Sequence, residues 1–88
     1  MTAAASSVTM YTTTWCGYCF RLKKLMQRED IPFAEVDIEA DAGAAEIVMS
    51  ANGGNRTVPT LVFADGTALT NPSLEQVKSQ LEQASRAG

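Results

Sequence analysis

The segment VTMYTTTWCGYCFRLKKLMQREDIPFAEVD, residues 8–37, carries the pattern that decides the fold. Its β-branched and aromatic start at 8–12 predicts one strand, and the alternation of apolar and polar residues at 33–37 predicts another. A helix is predicted over about 16–29, because apolar residues recur there at helical spacing and Pro32 blocks any continuation. These elements predict a βαβ unit with parallel strands and a right-handed crossover. The predicted apolar face of the helix comprises Cys19, Leu22, Leu25 and Met26.

The chain beyond this unit predicts a second helix and two more strands. The helix is expected to run from about Asp41 to Asn52-Gly53-Gly54, whose residues adopt left-handed conformations at little cost and so end a helix. A third strand is predicted over 60–63 and a fourth over 67–69, with Asp65-Gly66 as a two-residue hairpin turn between them. The apolar face predicted for the second helix comprises Ala44, Ile47, Val48 and Ala51.

A last helix is predicted from Ser73 and Gln76, which have the spacing of a capping box. Its predicted apolar face comprises Leu74, Val77, Leu81 and Ala84. The predicted order is therefore β-α-β-α-β-β-α, an α/β arrangement in three layers around a mixed sheet. With 88 residues, the chain is expected to form a single domain over 8–88 that follows a flexible N-terminus over 1–7.

The composition argues against several classes of partner. The formal net charge is −3, with seven basic residues against ten acidic ones, which argues against nucleic acid or an anionic membrane surface as a partner. No apolar run approaches the roughly 20 residues of a membrane helix. The first residues have neither a basic region nor a long apolar one, so no secretory signal is expected and the expected location is cytoplasmic.

Two cysteines, Cys16 and Cys19, lie at the start of the first predicted helix, and the chain contains no histidine. A close pair directly after the first strand of a βαβ unit indicates redox chemistry. Cys16 is expected at or next to the helix N-cap, where free amide groups and the positive end of the helix dipole favour a thiolate. Cys19 lies one turn inside the helix and is expected to be more buried and less acidic. Cys16 is therefore the predicted nucleophile and Cys19 the predicted resolving cysteine.

The same pair could instead form a structural disulfide or half of a zinc site. A structural disulfide is unusual in a chain without a secretory signal. A zinc ion would need further ligands that are not visible as cysteine or histidine, so no metal site is predicted. The lack of histidine also excludes Cys-His and Ser-His catalysis. These features favour redox chemistry.

A second signal lies in the stretch Asn55-Arg56-Thr57-Val58-Pro59-Thr60, where a proline begins the third predicted strand. Pro59 is either an ordinary trans proline, the usual state of such bonds, or a cis proline that faces the cysteines. In the second case the backbone of Val58 would be free to pair with an extended substrate. Arg56 either holds an anionic group of a ligand or is solvated.

Aromatic and basic residues surround the cysteines in the sequence. Trp15 either shields the reactive sulfur or packs at the strand–helix junction. Tyr18 is expected to be partly exposed and to offer a ring face and a hydroxyl to a ligand. The basic residues of the first helix are expected to form a solvated face, from which Arg21 and Lys23 could add positive potential near Cys16. This basic face comprises Arg21, Lys23, Lys24 and Arg28.

Taken together, these stretches resemble the glutaredoxins of the thioredoxin superfamily, and the mycoredoxins most closely. The resemblance spans nearly the whole chain, from position 8 to the last helix. It implies a thioredoxin-like fold with a four-stranded mixed sheet flanked by three helices, and a cis Pro59. The stretches that carry it are Tyr11-Thr12-Thr13, Trp15-Cys16-Gly17-Tyr18-Cys19, Asn52-Gly53-Gly54-Asn55-Arg56-Thr57-Val58-Pro59-Thr60, Phe63-Ala64-Asp65-Gly66 and Leu69-Thr70-Asn71-Pro72-Ser73.

The resemblance also implies a low-molecular-weight thiol as reductant and no tightly bound cofactor. Glutaredoxins that use glutathione often carry two glycines and an acidic residue before the last helix, whereas residues 67–73 read TALTNPS here. Mycothiol is therefore the expected reducing co-substrate. S-mycothiolated proteins are the expected substrates, and an NADPH-dependent mycothiol disulfide reductase is an indirect partner. The residues implied to bind the thiol are Trp15, Tyr18, Arg56, Thr57, Val58 and Pro59.

Two related functions remain open. A thioredoxin-like electron donor to ribonucleotide reductase would need both cysteines, because a flavin reductase recharges it through their disulfide. An iron–sulfur glutaredoxin would bridge a cluster between two subunits. Some members with a glycine after the first cysteine do so, and Gly17 occupies that position here.

Overall fold

A four-stranded sheet forms the centre of the computed structural model, which describes the backbone of residues 8–87 and the side chains of residues 8–83. The elements follow the predicted order β-α-β-α-β-β-α. They are β1 (Val8–Thr12), α1 (Gly17–Arg28), β2 (Ala34–Asp37), α2 (Ala42–Ala51), β3 (Thr60–Phe63), β4 (Ala68–Thr70) and α3 (Leu74–Ala87). The N-terminus predicted to be flexible over 1–7, the side chain of Ala84 and the terminal Gly88 lie outside the described part of the chain.

The position of β1 inside the sheet determines where the site forms. The strand order is β2-β1-β3-β4, with β1 parallel to β2 and antiparallel to β3, and β4 antiparallel to β3. This confirms the mixed sheet expected from the resemblance. Tyr11, near the end of β1, pairs with Thr60 at the beginning of β3. The loop that follows β1 therefore leaves the sheet beside the loop that precedes β3.

The two faces of the sheet are covered by different helices. Met10 and Tyr11 are adjacent in β1 and belong to different clusters, because successive strand side chains point to opposite faces. The first cluster comprises Val8, Met10, Leu61 and Phe63 of the sheet, Leu22 and Met26 of α1, and Val77 of α3. The second comprises Tyr11, Ile38 and, from α2, Ala44, Ala45 and Val48. The three-layer arrangement follows from these clusters.

The buried face of α2 differs from the predicted one. Ala44, Ala45 and Val48 are buried, whereas Ile47 is 46% exposed and Ala51 is exposed. The small residues Ala44 and Ala45 let the helix lie close to the sheet with this face buried, and Ile47 is then left exposed to solvent. The prediction was wrong at these two positions because helical spacing alone does not determine which of two neighbouring faces is buried.

The turn between β3 and β4 is one residue longer than predicted. The Phe63 N–H donates to the Thr67 carbonyl at 2.8 Å, which closes a loop of three residues, 64–66, and four residues, 64–67, lie between the two strands. Gly66 has a φ of 91°, the left-handed conformation that such a loop requires. As a result β4 begins one residue later than predicted. Over the part of the chain described, no helix combines the length and apolar character needed to cross a membrane.

The predicted capping box is present at the start of α3. The Ser73 N–H donates to Gln76 Oε1 at 2.8 Å, and the Gln76 N–H donates to Ser73 Oγ at 3.2 Å. We expect Ser73→Ala to cost about 1 kcal/mol of folding free energy and to lower the thermal midpoint by about 4–8 °C. Exposed Ser79, within α3, is the matched control, since alanine there has the better helix propensity. Equal losses at both positions, measured by circular dichroism, would contradict a contribution from the cap.

Candidate active site

Cys16 occupies the N-cap of α1, directly after the loop that leaves the centre of the sheet. Its backbone is extended, with φ −89° and ψ 110°, and its Sγ accepts a hydrogen bond from the Cys19 N–H at 3.2 Å. Amide groups at this end of a helix have no partner inside the helix, and the positive end of the dipole adds to their effect. The arrangement provides the electrostatic support that a thiolate needs.

Cys19 is the more protected of the two cysteines. It is 3% exposed against 9% for Cys16, and both are free thiols. Burial raises the pKa of the Cys19 thiol to about 12, and its hydrogen bond with the Cys16 side chain acts in the same direction. The negative charge of Glu35 makes a further, smaller contribution. The expectation that Cys19 is the more buried cysteine is confirmed, and the raised pKa of its thiol has the expected direction.

The Val58–Pro59 segment lies opposite Cys16, because β3 begins beside the end of β1. The Val58–Pro59 peptide bond is cis, which confirms the cis alternative predicted for Pro59. The Val58 carbonyl accepts a hydrogen bond from Cys16 Sγ at 3.7 Å. Pro59 is fully buried, and its carbonyl accepts the Asn71 N–H at 2.7 Å. The structure therefore brings the cysteine pair and the Val58–Pro59 segment together.

A cleft of about 380 Å³ is lined in part by both cysteines. Within it Lys23 Nζ lies 3.0 Å from Glu35 Oε1, and Thr12 Oγ1 donates to Glu35 Oε2 at 2.9 Å. Lys23 is thus half-buried and paired. Glu35 offsets the positive potential that Lys23 was predicted to add near Cys16. The residues that line the cleft are Thr12, Thr13, Thr14, Cys16, Cys19, Phe20, Lys23, Glu35 and Asp37.

Sequence reasoning did not identify Thr12 and Glu35 as residues of this cleft. The two strands place Thr12 opposite Asp37 and Met10 opposite Glu35, and Lys23 reaches Glu35 from α1. The contact between Lys23 and Glu35 depends on the angle at which α1 crosses the sheet. The only signal in the sequence is a pair of opposite charges in neighbouring elements, which many surface residues share.

The other residues expected to bind a thiol lie on exposed surface. Trp15 is 72% exposed, and its Nε1 donates to Glu39 Oε2 at 3.0 Å. The alternative that Trp15 packs at the strand–helix junction was therefore wrong. Tyr18 is 65% exposed, as expected. Arg56 and Thr57 are exposed in the loop before β3. Among residues 8–83, whose side chains are described, the Arg56 side chain forms no hydrogen bond or ion pair.

The arrangement of the cysteine pair permits attack of one sulfur on a disulfide. A thiolate at Cys16 can attack a disulfide sulfur that enters the cleft, and the Cys19 thiol, which contacts the Cys16 side chain, can attack Cys16 in a following step. Among the described residues, no group of three or more histidine, cysteine, aspartate or glutamate side chains is placed to hold a metal ion.

Comparison with protein-family models identifies the glutaredoxin model over residues 8–68. A protein of Mycobacterium tuberculosis with a provisional glutaredoxin name is 58% identical over 76 residues, which cover 86% of this chain and 90% of that protein. Mycoredoxin 1 of Corynebacterium glutamicum is 43% identical over 77 residues, which cover 88% of this chain and 95% of that protein.

Solved structures agree on the fold. The glutaredoxin of Methanosarcina mazei superposes with a TM-score of 0.75 at 23% identity, over 88% of this chain and 79% of that one. A thioredoxin-like protein superposes with a TM-score of 0.74 at 18% identity, over 86% of this chain and 95% of that one. At these identities the likeness shows the thioredoxin-like fold expected from the sequence.

Proposed function

The chain belongs to the glutaredoxin family of thiol oxidoreductases, and on that premise we propose that it reduces mixed disulfides between protein cysteines and mycothiol. The observation that carries the proposal is the position of Cys16 Sγ, 3.2 Å from the Cys19 N–H at the start of α1 and open to a cleft. The preference for mycothiol is supported by the likeness to Mycoredoxin 1. It is also supported by residues 67–73, which lack the two glycines and acidic residue typical of members that use glutathione.

In the proposed reaction, Cys16 takes the mycothiol from the substrate protein. The Cys16 thiolate attacks the mycothiol sulfur of the mixed disulfide, and the substrate protein leaves as a thiolate that is then protonated. A second mycothiol, as its thiolate, attacks the sulfur bound to Cys16. This step releases mycothiol disulfide and restores the Cys16 thiolate. An NADPH-dependent reductase would return the mycothiol disulfide to the thiol.

Cys19 offers a second way to release the mycothiol. After losing its proton, its sulfur attacks Cys16 Sγ, which frees mycothiol and leaves an intramolecular disulfide that must itself be reduced. The burial that raises the pKa of Cys19 to about 12 makes this step slow at neutral pH, because little thiolate is present. We therefore expect release by a second mycothiol to dominate.

The Val58 backbone suits an extended protein segment, and a groove along α1 suits a small thiol. We propose that the backbone of Val58 pairs with the substrate protein, which would place the disulfide over Cys16 Sγ. A groove of about 420 Å³ between α1 and the start of α3, lined in part by Tyr18, Arg21 and Asn71, would hold the sugar portion of mycothiol. Trp15, Arg56, Thr57 and Pro59 are the other proposed thiol-binding residues.

The proposed reaction indicates which molecules are partners of the protein and in which cellular compartment it works. Its partners are mycothiol and S-mycothiolated proteins, and mycothiol is a co-substrate that is not tightly bound. Because the proposed reaction needs reduced Cys16, we propose a cytoplasmic location, with residues 8–88 acting as one domain.

Comparing two reductants on one substrate tests the proposal. A peptide–mycothiol mixed disulfide is offered with mycothiol or with glutathione at equal concentration, and release of the free peptide thiol is followed. We expect mycothiol to support turnover at least about tenfold faster, a difference of about 1.4 kcal/mol in transition-state stabilisation. Equal rates with the two thiols would contradict the assignment of mycothiol as reductant.

The Cys19→Ser variant is expected to retain reduction of the mycothiol mixed disulfide, at roughly a tenth of the wild-type rate or more. Release by a second mycothiol needs only Cys16, and the substituted serine preserves the backbone N–H that reaches Cys16 Sγ. The steady-state rate with mycothiol as reductant measures this. A completely inactive variant would contradict the route that uses Cys16 alone and would instead favour the two-cysteine electron donor to ribonucleotide reductase.

A further inference from the structure

Asn52, the C-cap residue of α2, connects three parts of the fold beside the site. Its Nδ2 donates to the Thr57 carbonyl at 3.4 Å and to Thr60 Oγ1 at 3.0 Å. Its Oδ1 accepts a hydrogen bond from Thr70 Oγ1 on β4. One half-buried amide thereby ties the end of α2 to the loop before β3, to β3 itself and to β4.

These contacts anchor the segment that faces the reactive sulfur. The Thr57 carbonyl accepts two hydrogen bonds, one from the Asn52 amide and one from the Thr60 hydroxyl at 2.7 Å. Beyond Val58, the Pro59 carbonyl accepts a backbone N–H at 2.7 Å from the turn that follows β4. Val58 therefore lies between two anchored carbonyls, and its own carbonyl is 3.7 Å from Cys16 Sγ.

We infer that Asn52 is a positioning residue, whose amide fixes the Val58 backbone at the place where an extended protein substrate must pair to present its disulfide to Cys16. The inference rests on the proposed reduction of protein mixed disulfides. The side chains of Arg56 and Thr57 are exposed, whereas Val58 packs against the second cluster, so the loop before Val58 is held mainly by the hydrogen bonds to Asn52 and Thr60. A small disulfide without a peptide backbone does not pair with Val58. Asn52 therefore affects protein substrates more strongly than small disulfides, on which this loop acts only through the proposed thiol-binding residues.

The test compares Asn52→Asp with Asn55→Asp on two substrates. In Asn52→Asp the new carboxylate retains an oxygen that can accept from Thr70, and both N–H donors of the amide are lost. Exposed Asn55, which donates to the Asn52 carbonyl at 3.3 Å, is the control that adds the same charge nearby and keeps those donors. The substrates are a peptide–mycothiol mixed disulfide and 2-hydroxyethyl disulfide. Amide hydrogen exchange over residues 55–61, followed by mass spectrometry, reports loop opening without reference to activity.

We expect Asn52→Asp to lower kcat/KM for the peptide substrate about tenfold, mainly through KM, since two hydrogen bonds that orient the loop are lost. The value for 2-hydroxyethyl disulfide should fall by no more than about threefold, because this loop acts on it only through the proposed thiol-binding residues, and exchange over 55–61 should become at least about fivefold faster. The Asn55→Asp control should change each quantity less than about twofold.

Each contrary outcome has a separate meaning. Equal losses on the two substrates, or unchanged hydrogen exchange over 55–61 in Asn52→Asp, would overturn the positioning role. A third outcome is faster exchange over 55–61 in Asn52→Asp together with a wild-type protein that does not reduce the mixed disulfide. This outcome would support the anchoring by Asn52 and overturn the proposed function instead.

Discussion

Replacing Cys16 by serine is expected to lower kcat/KM for the mixed disulfide by at least about 10³-fold, because a hydroxyl without an activating base is a poor nucleophile. The chain contains no histidine that could act as this base. The amide groups at the start of α1 face the side chain at position 16, and a serine hydroxyl there is far less acidic than a thiol and stays protonated at neutral pH. Steady-state reduction with mycothiol as reductant measures the loss.

Unfolding would not account for such a loss. Serine is among the preferred N-cap residues, and its Oγ can accept the Cys19 N–H that now reaches Cys16 Sγ at 3.2 Å. The thermal midpoint should therefore stay within about 4 °C of the wild-type value, which corresponds to less than about 1 kcal/mol. The Cys19→Ser variant is the matched control, because it also removes one thiol and retains the nucleophile. Activity of the Cys16→Ser variant above roughly a tenth of wild type would contradict the role given to Cys16.

Much of the fold and the cysteine pair could be predicted because their signals are local. The order of strands and helices follows from spacing within a few residues, and the Ser73–Gln76 box is a pattern of four residues that the structure forms as two hydrogen bonds. The place of Cys16 at the N-cap follows from the same kind of signal, since a strand end and a helix start are adjacent in the sequence.

The rest of the site could not be predicted because it joins residues that are distant in the sequence. Glu35 meets Thr12 across 23 positions and Lys23 across 12, and both contacts depend on the register of β2 beside β1 and on the tilt of α1. Asn52 is predictable as the end of a helix, whereas its contacts with two strands are not. The exposure of Ile47 could not be predicted either, because it depends on which face of α2 packs against the sheet.

In the native protein, iodoacetamide at about pH 7.5 is expected to alkylate Cys16 at least about 10² times faster than Cys19. Cys19 is 3% exposed, and its pKa of about 12 leaves only a very small thiolate fraction at this pH. The remaining free thiol is labelled with a second reagent after unfolding, and mass spectrometry of the peptides gives both rates. Equal labelling of the two cysteines would contradict the separate roles of nucleophile and resolving cysteine.

The pH dependence of Cys19 labelling separates its ionisation from its burial. In the Cys16→Ser variant the alkylation rate of Cys19 should rise about tenfold per pH unit to beyond about pH 10, because thiolate is still accumulating below a raised pKa. In urea the rate should level off near the ordinary pKa of 9.0. The unfolded chain releases this proton at lower pH than the folded chain, so the thiol destabilises folding as pH rises from about 9 toward 12. A plateau near pH 9 in the folded variant would mean that burial does not retain the Cys19 proton, and Cys19 could then displace mycothiol from Cys16 at neutral pH.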